Sequence, residues 1–324
     1  MEIPPNQKTI LDYFYEWEAK QGDQPFLKQP FGPLWTDITW QETGEQARRM
    51  AAALQRLGLE KGDRVATFSK NCYHWIIADL AIMMGGFVST PLYPNLTSKQ
   101  LRKVLELSGT KVLFVGKLDE WEEPSRGIPD EVETIAFPHY NGNARVEAKY
   151  QWDELVQNSA PIAGNPRPDI NDLWTIIYTS GTTGKPKGAE LTHSNLLLNA
   201  ILSADLLKAT PDDRILIVLP LFHIFGMTVL MNAGIYRGAT SILLPRFEPK
   251  PVTDLLFKHD ISIFAGVPTM YWGLLNAKGV DEYLSDIQES LRLCVSGGAS
   301  LPVEVLRKFE KKFKVPIIEG YGMS

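Results

Sequence analysis

Short apolar runs alternate with amphipathic stretches along most of the chain. The stretches between the runs place apolar residues at helical spacing, as at residues 74–84 and 101–107. A pattern that switches repeatedly between the strand period and the helix period predicts βαβ units and a largely parallel sheet, that is, an α/β fold. The runs typical of buried strands are residues 65–69, 87–92, 111–115, 214–219, 240–245, 261–266 and 291–297.

The N-terminal region predicts two helices separated by a hairpin. Apolar positions recur at helical spacing from Thr9 to Lys20, and residues 25–40 predict two short strands joined at a Gly-Pro pair. Thr39 and Glu42 form a capping box at the start of the second helix, and Gly58 closes that helix.

Two successive blocks of alternation meet near residue 205, so we expect two packed sheets flanked by helices. Residues 59–205 would form a first α/β subdomain, and residues 1–58 would join residues 206–324 in a second one. A chain of 324 residues is long enough for two cores. Residues 117–170 are less periodic and carry acidic clusters and prolines, which indicates a surface excursion.

Charge and cysteine content exclude several classes of protein. A net charge of −5 and a pI near 5.7 argue against a nucleic-acid partner. Proteins that bind nucleic acids usually carry a basic patch on their surface. Cys72 and Cys294 lie far apart without a metal-binding spacing, so we expect neither a disulfide framework nor a zinc site, and the cytoplasm fits best. The first residues lack a basic stretch followed by an apolar one, so no secretory signal is expected.

One apolar segment needs a membrane test. Residues 215–236 contain no Asp, Glu, Lys or Arg, and their length would suffice to span a bilayer. Pro220, His223, Gly226 and Asn232 interrupt the segment. These interruptions favour a buried strand, a loop and a helix over a transmembrane helix.

A stretch rich in glycine, hydroxyl and lysine side chains, YTSGTTGKPKG at residues 178–188, directly follows an apolar run. Glycines let backbone N–H groups turn inward, and the hydroxyl and ammonium groups add donors for phosphate. The pattern predicts a buried strand that ends in a phosphate-binding loop, followed by a helix that Ser194 caps. A flexible linker has a similar composition, but linkers rarely follow a buried strand directly.

The spacing differs from that of the P-loop of nucleoside triphosphatases. That loop has four residues between its glycines and a Ser or Thr after its lysine. Here two residues separate Gly181 from Gly184, and Lys185 precedes Pro186.

The loop instead resembles the signature of the adenylate-forming enzymes, which include acyl-CoA synthetases, firefly luciferase and peptide-synthetase adenylation domains. The resemblance implies that the loop wraps the β- and γ-phosphates of ATP while a carboxylate attacks the α-phosphate, giving acyl-AMP and pyrophosphate. The implied phosphate-binding residues are Thr179, Ser180, Gly181, Thr182, Thr183, Gly184 and Lys187.

Further strand-to-helix loops match the family's pattern at the ligand-binding edge of the sheet. Taken alone, His223 is more often a packing residue, and GGA is weak evidence for a site. The resemblance places Phe222, His223, Gly266 and Val267 at the carboxylate and acyl chain. It places Gly297, Gly298, Ala299, Glu319, Gly320, Tyr321, Gly322 and Ser324 around the adenine and α-phosphate, with Tyr321 stacked on the ring.

The family pattern continues beyond Ser324 with a magnesium-holding Glu, a ribose-binding Asp, a C-terminal barrel and a mobile domain with a catalytic Lys. We therefore expect an N-terminal portion that is inactive alone, with no metal ligand of its own and an apolar face where the other parts would pack. Two alternative contacts through that face are a homodimer and a peripheral membrane contact.

The resemblance is strongest to bacterial long-chain fatty-acid–CoA ligases, which implies ATP, Mg²⁺ and coenzyme A as cofactors or co-substrates. The partner it implies is a fatty acid or a similar carboxylate. A phenylpropanoid-CoA ligase, a luciferase-like enzyme and an acyl-AMP ligase remain alternatives within the superfamily. A non-catalytic nucleotide-binding module is the alternative from another class.

Overall fold

The computed structural model describes residues 8–31, 34–179 and 186–323. Its strands are β1 Pro25–Phe31, β2 Leu34–Thr39, β3 Arg64–Ser69, β4 Val88–Leu92, β5 Thr110–Gly116, β6 Glu133–Ala136, β7 Tyr150–Gln151, β8 Leu173–Thr179, β9 Lys187–Thr192, β10 Arg214–Ile217, β11 Thr240–Leu243, β12 Ile263–Gly266, β13 Leu293–Ser296 and β14 Ile317–Glu319.

The helices are α1 Ile10–Gln21, α2 Trp40–Arg56, α3 Tyr73–Met84, α4 Ser98–Ser108, α5 Glu122–Ser125, α6 Trp152–Gln157, α7 His193–Leu206, α8 Ala233–Arg237, α9 Pro249–Lys258, α10 Pro268–Leu275, α11 Leu284–Ser290 and α12 Val303–Phe313. A π-helix spans Phe225–Asn232, and a short 3₁₀ helix spans Val280–Tyr283.

Within the described ranges the strands form two seven-stranded sheets. Sheet I has the order β7-β6-β5-β3-β4-β8-β9, and sheet II has the order β14-β13-β12-β10-β11-β1-β2. Only the edge pairs β8–β9 and β1–β2 are antiparallel among these strands, so the expectation of two largely parallel sheets is confirmed. The division into two subdomains concerns how independently the halves fold, and it stays a prediction.

Helix α3 lies between the sheets because it is apolar on every side. It contacts β3 and β4 of sheet I and β1 of sheet II, and its residues from His74 to Met84 are all buried. A helix without a polar face requires burial all round. A core cluster that includes Trp75 of α3 joins residues of both sheets, while separate clusters lie outside sheet I under α4 and outside sheet II under α9, α10 and α12.

The capping predictions are confirmed for one helix and corrected for another. Thr39 accepts a hydrogen bond from the Glu42 N–H, and Gly58 takes a φ of 87° just past the end of α2. Ser194, however, does not cap α7. Thr192 does so with Asn195, because β9 continues to Thr192 and the helix begins at His193.

Strand β9 changes the interpretation of the glycine-rich stretch. Tyr178 and Thr179 still belong to β8, while Lys187 and Gly188 begin β9, opposite Thr179 and Tyr178 respectively. The glycine-rich stretch therefore connects two antiparallel strands rather than a strand and a helix.

Two other regions test the sequence interpretation. Residues 215–236 do form a strand end, a loop, the π-helix and α8, and within the described ranges no helix is long and apolar enough to cross a membrane. Residues 117–170 are more than a surface excursion. They add β6 and β7 to sheet I and bury Phe137 and Trp152 in the core.

Candidate functional site

Neighbouring strands of sheet II end at the same level. Gly266, the last residue of β12, lies opposite Ser296, and Ser296 lies opposite Glu319 at the end of β14. Ligands of open parallel sheets bind outside the carboxyl ends of the strands. The loops that begin at Val267 and Gly297 are therefore adjacent at the edge where a ligand would bind.

Gly297 lies where three chain segments meet. Its N–H donates to Gly266 O at 3.2 Å, and the Gly320 N–H donates to Ser296 O at 2.8 Å. A Cβ added to Gly297 would lie 2.9 Å from Phe225 Cε1 and 3.1 Å from Gly320 O. A side chain at this position would push these segments apart, so the close approach requires glycine.

The residues assigned to the adenine side lie open to solvent. Tyr321 is 91% exposed, and no atom lies within 4 Å of a Cβ added to Gly322. Gly298 and Ala299 are also exposed, with Gly298 at a φ of 79°. Beneath them the Ser296 hydroxyl is buried and has no hydrogen-bond partner in the part of the chain that the structure describes. An exposed aromatic ring near open backbone fits a flat ring such as adenine.

Glu319 holds one of these loops in place. Its carboxylate accepts a hydrogen bond from the Leu301 N–H at 3.2 Å, which ties the end of β14 to the loop before α12. Tyr271 supports the same edge from α10, because its hydroxyl donates to Val295 O at 2.6 Å. A direct role of Glu319 in nucleotide binding stays a prediction.

His223 has a defined protonation state in the loop after β10. The Phe225 N–H donates to His223 Nδ1 at 3.2 Å, so Nδ1 carries no proton. The imidazole is solvent-exposed, yet the surrounding loop desolvates it enough to lower the pKa of His223 below its ordinary value. At neutral pH the ring is therefore uncharged, with its proton on Nε2, and it can donate to an acceptor such as a carboxylate oxygen.

The segment around His223 folds tightly back on itself. The His223 N–H donates to Pro220 O at 3.1 Å, and a Cβ added to Gly226 would lie 2.5 Å from Pro220 O. The π-helix begins at Phe225, directly after this turn. π-helical segments are rare and frequently lie at functional sites, which agrees with a ligand-binding role for the turn.

Of the residues predicted to bind phosphate, the structure describes only Thr179 and Lys187. Thr179 and Lys187 face each other across β8 and β9, and Lys187 is exposed. Ser180, Gly181, Thr182, Thr183 and Gly184 lie outside the described residues, as does Ser324 at the other end of the site.

The two sheets meet next to this edge through aromatic and polar contacts. Because Ser89 of β4 lies opposite Thr175 of β8, Tyr93 and Thr179, each four residues further on, leave sheet I at the same edge. Tyr93 packs against Phe222, with ring centroids 4.7 Å apart. The carboxyl end of β8 and the Phe222–His223 turn therefore lie on the same side of the molecule.

Sequence reasoning missed two residues of this region. Tyr93 contacts Phe222, and Asn71 bonds to the backbone of Leu219 and Leu221. Both follow predicted strands at the carboxyl edge of sheet I, which was a usable signal. Their partners belong to sheet II, and a single sequence carries no sign of that pairing.

Comparison with known protein families identifies the class to which this fold and site belong. The model of the AMP-binding enzymes matches residues 14–324, and the chain therefore belongs to the AMP-binding enzyme family.

Individual relatives narrow the similarity. The chain is 31% identical to a long-chain-fatty-acid–CoA ligase of Bacillus subtilis, over 100% of this chain and 61% of that protein. It is 29% identical to 4-coumarate–CoA ligase 3 of Oryza sativa, over 98% of this chain and 56% of the relative. The chain thus spans less than two thirds of the length of these curated relatives.

Solved structures agree on the fold. A benzoate CoA ligase from Burkholderia xenovorans superposes with a TM-score of 0.84 at 23% identity, over 98% of this chain and 61% of that one. The N-terminal domain of FACL13 from Mycobacterium tuberculosis gives a TM-score of 0.81 at 24% identity, over 98% of this chain and 76% of that one.

Proposed function

We propose that the chain is the nucleotide- and acyl-binding part of an ATP-dependent acid–thiol ligase, which activates a carboxylate as acyl-AMP and transfers it to coenzyme A. One observation carries the proposal. In a chain of the AMP-binding family, the Phe222–His223 turn, the Gly297 loop and the Gly320–Tyr321 segment converge at the carboxyl edge of sheet II.

In this proposal the chain's own residues bind and orient the reactants. ATP supplies the α-phosphate that the carboxylate attacks. Tyr321 stacks on adenine beside Gly298 and Ala299. Lys187, with the end of the hairpin, holds phosphate oxygens by charge-assisted hydrogen bonds. The neutral His223 donates from Nε2 to a carboxylate oxygen, which orients the nucleophile without a competing positive charge.

The acyl group would lie between the His223 turn and the loop after β12. Val267 Cγ1 lies 3.4 Å from the position of a Cβ on Gly298, so an acyl chain that passes Val267 and Gly266 is adjacent to the nucleotide loop. A long-chain fatty acid is our first choice of substrate because of the similarity to the Bacillus subtilis ligase. A 4-coumarate-type acid is the alternative, which the plant relatives favour.

The remaining parts of the proposal concern the rest of the reaction. Mg²⁺ and coenzyme A are proposed as cofactor and co-substrate, and in the described ranges no cluster of three His, Cys, Asp or Glu residues is placed to hold a metal. Both cysteines are buried and unpaired, which supports the proposed cytoplasmic location. The inactivity expected of these 324 residues alone also stays a prediction.

Calorimetry with ATP tests the proposal directly. The Lys187→Ala variant should bind ATP about 10- to 100-fold more weakly, since losing a charge-assisted partner costs about 1.5–3 kcal/mol. Because Lys187 is exposed at the start of β9, the thermal midpoint should stay unchanged. Lys278→Ala, which removes an exposed lysine just after α10, is the control. Equal ATP affinity in the wild type and in both variants would contradict phosphate binding by the glycine-rich stretch and would favour the linker interpretation.

A further inference from the structure

The Asn71 side chain joins the two sheets next to the proposed carboxylate site. Asn71 lies between β3 and α3 of the sheet I half and is 2% exposed. Its Nδ2 donates to Leu219 O at 2.9 Å, and its Oδ1 accepts from the Leu221 N–H at 2.9 Å. Both partners belong to the segment between β10 of sheet II and the Phe222–His223 turn.

This arrangement supplies the hydrogen bonds that a neighbouring strand would otherwise provide. The pairing of β10 with β11 ends at Ile217 and Leu243, and the Leu244 N–H makes the last bond, to Ile217 O. Beyond that point Leu219 and Leu221 remain buried, and a buried backbone group without a partner costs about 1–3 kcal/mol. One side-chain amide satisfies a carbonyl and an N–H at once, so it holds the segment in place past the end of its sheet.

The same segment is fixed from its other side. A Cβ added to Gly226 would lie 2.9 Å from Leu219 O and 2.5 Å from Pro220 O, so the start of the π-helix packs directly on this backbone. Tyr93 then packs on Phe222 at its end. Asn71, Gly226 and Tyr93 together leave the Phe222–His223 turn little freedom to shift.

We infer that Asn71 is a positioning residue for activation of the carboxylate: by bonding to Leu219 and Leu221 across the two sheets, it sets the place of His223 relative to the bound carboxylate. This inference rests on the proposed function. Asn71 itself touches no reactant, and it acts through the backbone that carries the turn.

The chain offers a matched control. Gln29 of β1 is 4% exposed, and its Oε1 accepts from the Tyr73 N–H at 2.8 Å. Gln29→Ala thus removes a hydrogen bond that a buried side-chain amide makes between the same two halves. It leaves the segment from Leu219 to His223 untouched. Asn71→Ala removes the bonds to that segment.

Two binding measurements separate positioning from general stability. The probes are AMP and hydrolysis-resistant acyl-AMP analogues with a sulfamate in place of the phosphate, carrying a dodecanoyl or a 4-coumaroyl group. Asn71→Ala should weaken binding of the better analogue about tenfold and binding of AMP less than about threefold. Gln29→Ala should weaken neither selectively. If Asn71→Ala does not fold, Asn71→Asp replaces it. Asp keeps the size of the side chain and the acceptor for the Leu221 N–H, but it lacks the donor toward Leu219 O. The same selective loss of analogue binding is expected.

A measurement without ligand tests the same point. In the NMR spectrum, Asn71→Ala should shift the His223 ring resonances and raise the pKa of His223 toward its ordinary value, because a looser turn hydrates the ring, whereas Gln29→Ala should not. Equal effects of the two variants on both probes and on His223 would overturn the inference. If the wild-type chain binds neither AMP nor an analogue while the His223 resonances still follow Asn71, the proposed function fails and the positioning of His223 stands.

Discussion

Asp79 shows how strongly burial acts on a single side chain here. It lies on α3 between the sheets, is 2% exposed, and accepts a hydrogen bond from Trp174 Nε1 at 3.3 Å. Burial raises the pKa of Asp79 from 3.8 to about 6, because a carboxylate loses its hydration there. The folded protein therefore holds the Asp79 proton more tightly than the unfolded chain does.

The sign of the resulting pH dependence follows from linkage. The contribution is fully present below the unfolded pKa of 3.8 and is lost as the pH rises through about 6. Asp79→Asn should therefore raise the free energy of unfolding by about 2–3 kcal/mol near pH 8 and change it little near pH 4. Urea unfolding at both pH values measures this. Asp212→Asn, at an exposed position, should have no effect at either pH.

The close packing around Gly297 leaves little room for a side chain. Gly297→Ala should lower the free energy of unfolding by about 1–3 kcal/mol, because the added carbon would be forced against Phe225 and Gly320 O. It should also weaken AMP binding. Gly322→Ala adds the same carbon where no atom lies within 4 Å, so stability should change by less than about 0.5 kcal/mol. Similar losses in both variants would contradict the packing account; thermal unfolding distinguishes the cases.

At the scale of elements, the sequence predicted the parallel strands well and the antiparallel partner of β8 poorly. β10 to β13 are runs of Val, Ile, Leu and Phe whose burial on both faces leaves a continuous apolar signal. β9, with the sequence KGAELT, has no such signal, because it lies at the edge of sheet I and much of it is exposed. Only its pairing with β8 makes it a strand.

The candidate site was predictable to a similar degree. Gly297, His223 and Tyr321 were predicted as site residues because they match a known pattern along the chain, and their roles stay predictions. The π-helix and the bonds of Asn71 were not, since both depend on contacts between segments far apart in sequence. The order of the motifs was therefore available from the sequence, and the cross-sheet contacts were not.

The start of α7 is stabilised by the capping box of Thr192 and Asn195. Thr192→Ala removes the hydroxyl that accepts from the Asn195 N–H, so the free energy of unfolding should fall by about 1 kcal/mol. Ser194→Ala removes a hydroxyl 2.7 Å from Thr192 Oγ1 but leaves the bond from the Asn195 N–H in place, so it should cost less than half as much. Chemical denaturation of the two variants compares them. The reverse order would show that Ser194 is the true cap.

The exposed face of α7 affects how the whole molecule contacts other proteins. Leu198, Leu202 and Leu206 are 51%, 52% and 68% exposed and, four residues apart, form one ridge. Contiguous exposed apolar residues commonly mark a contact surface. Whether this ridge is the apolar face expected from the sequence stays a prediction.

We predict that this ridge causes self-association. Light scattering should show dimers as the concentration rises, because pairing removes the leucines from water. At low concentration, where the leucines are exposed, the protein should bind a hydrophobic dye. Leu202→Glu should shift the protein toward monomer. Leu107→Glu is the control, since Leu107 of α4 is 57% exposed but lies on a different helix. A wild-type protein that is strictly monomeric at high concentration and binds no dye would contradict the prediction.

The pairing of β1 with β11 also sets the order in which the molecule can assemble during synthesis. Sheet I takes its strands from one continuous stretch, Arg64 to Thr192, whereas Leu27 of β1 lies opposite Ser241 of β11. Contacts between distant parts of a chain form slowly, because a long loop must close first. On the ribosome, sheet I can therefore form while the β1–β2 hairpin still lacks its neighbour. A nascent chain halted before β11 would carry that hairpin as an open edge, available to chaperones and to other chains.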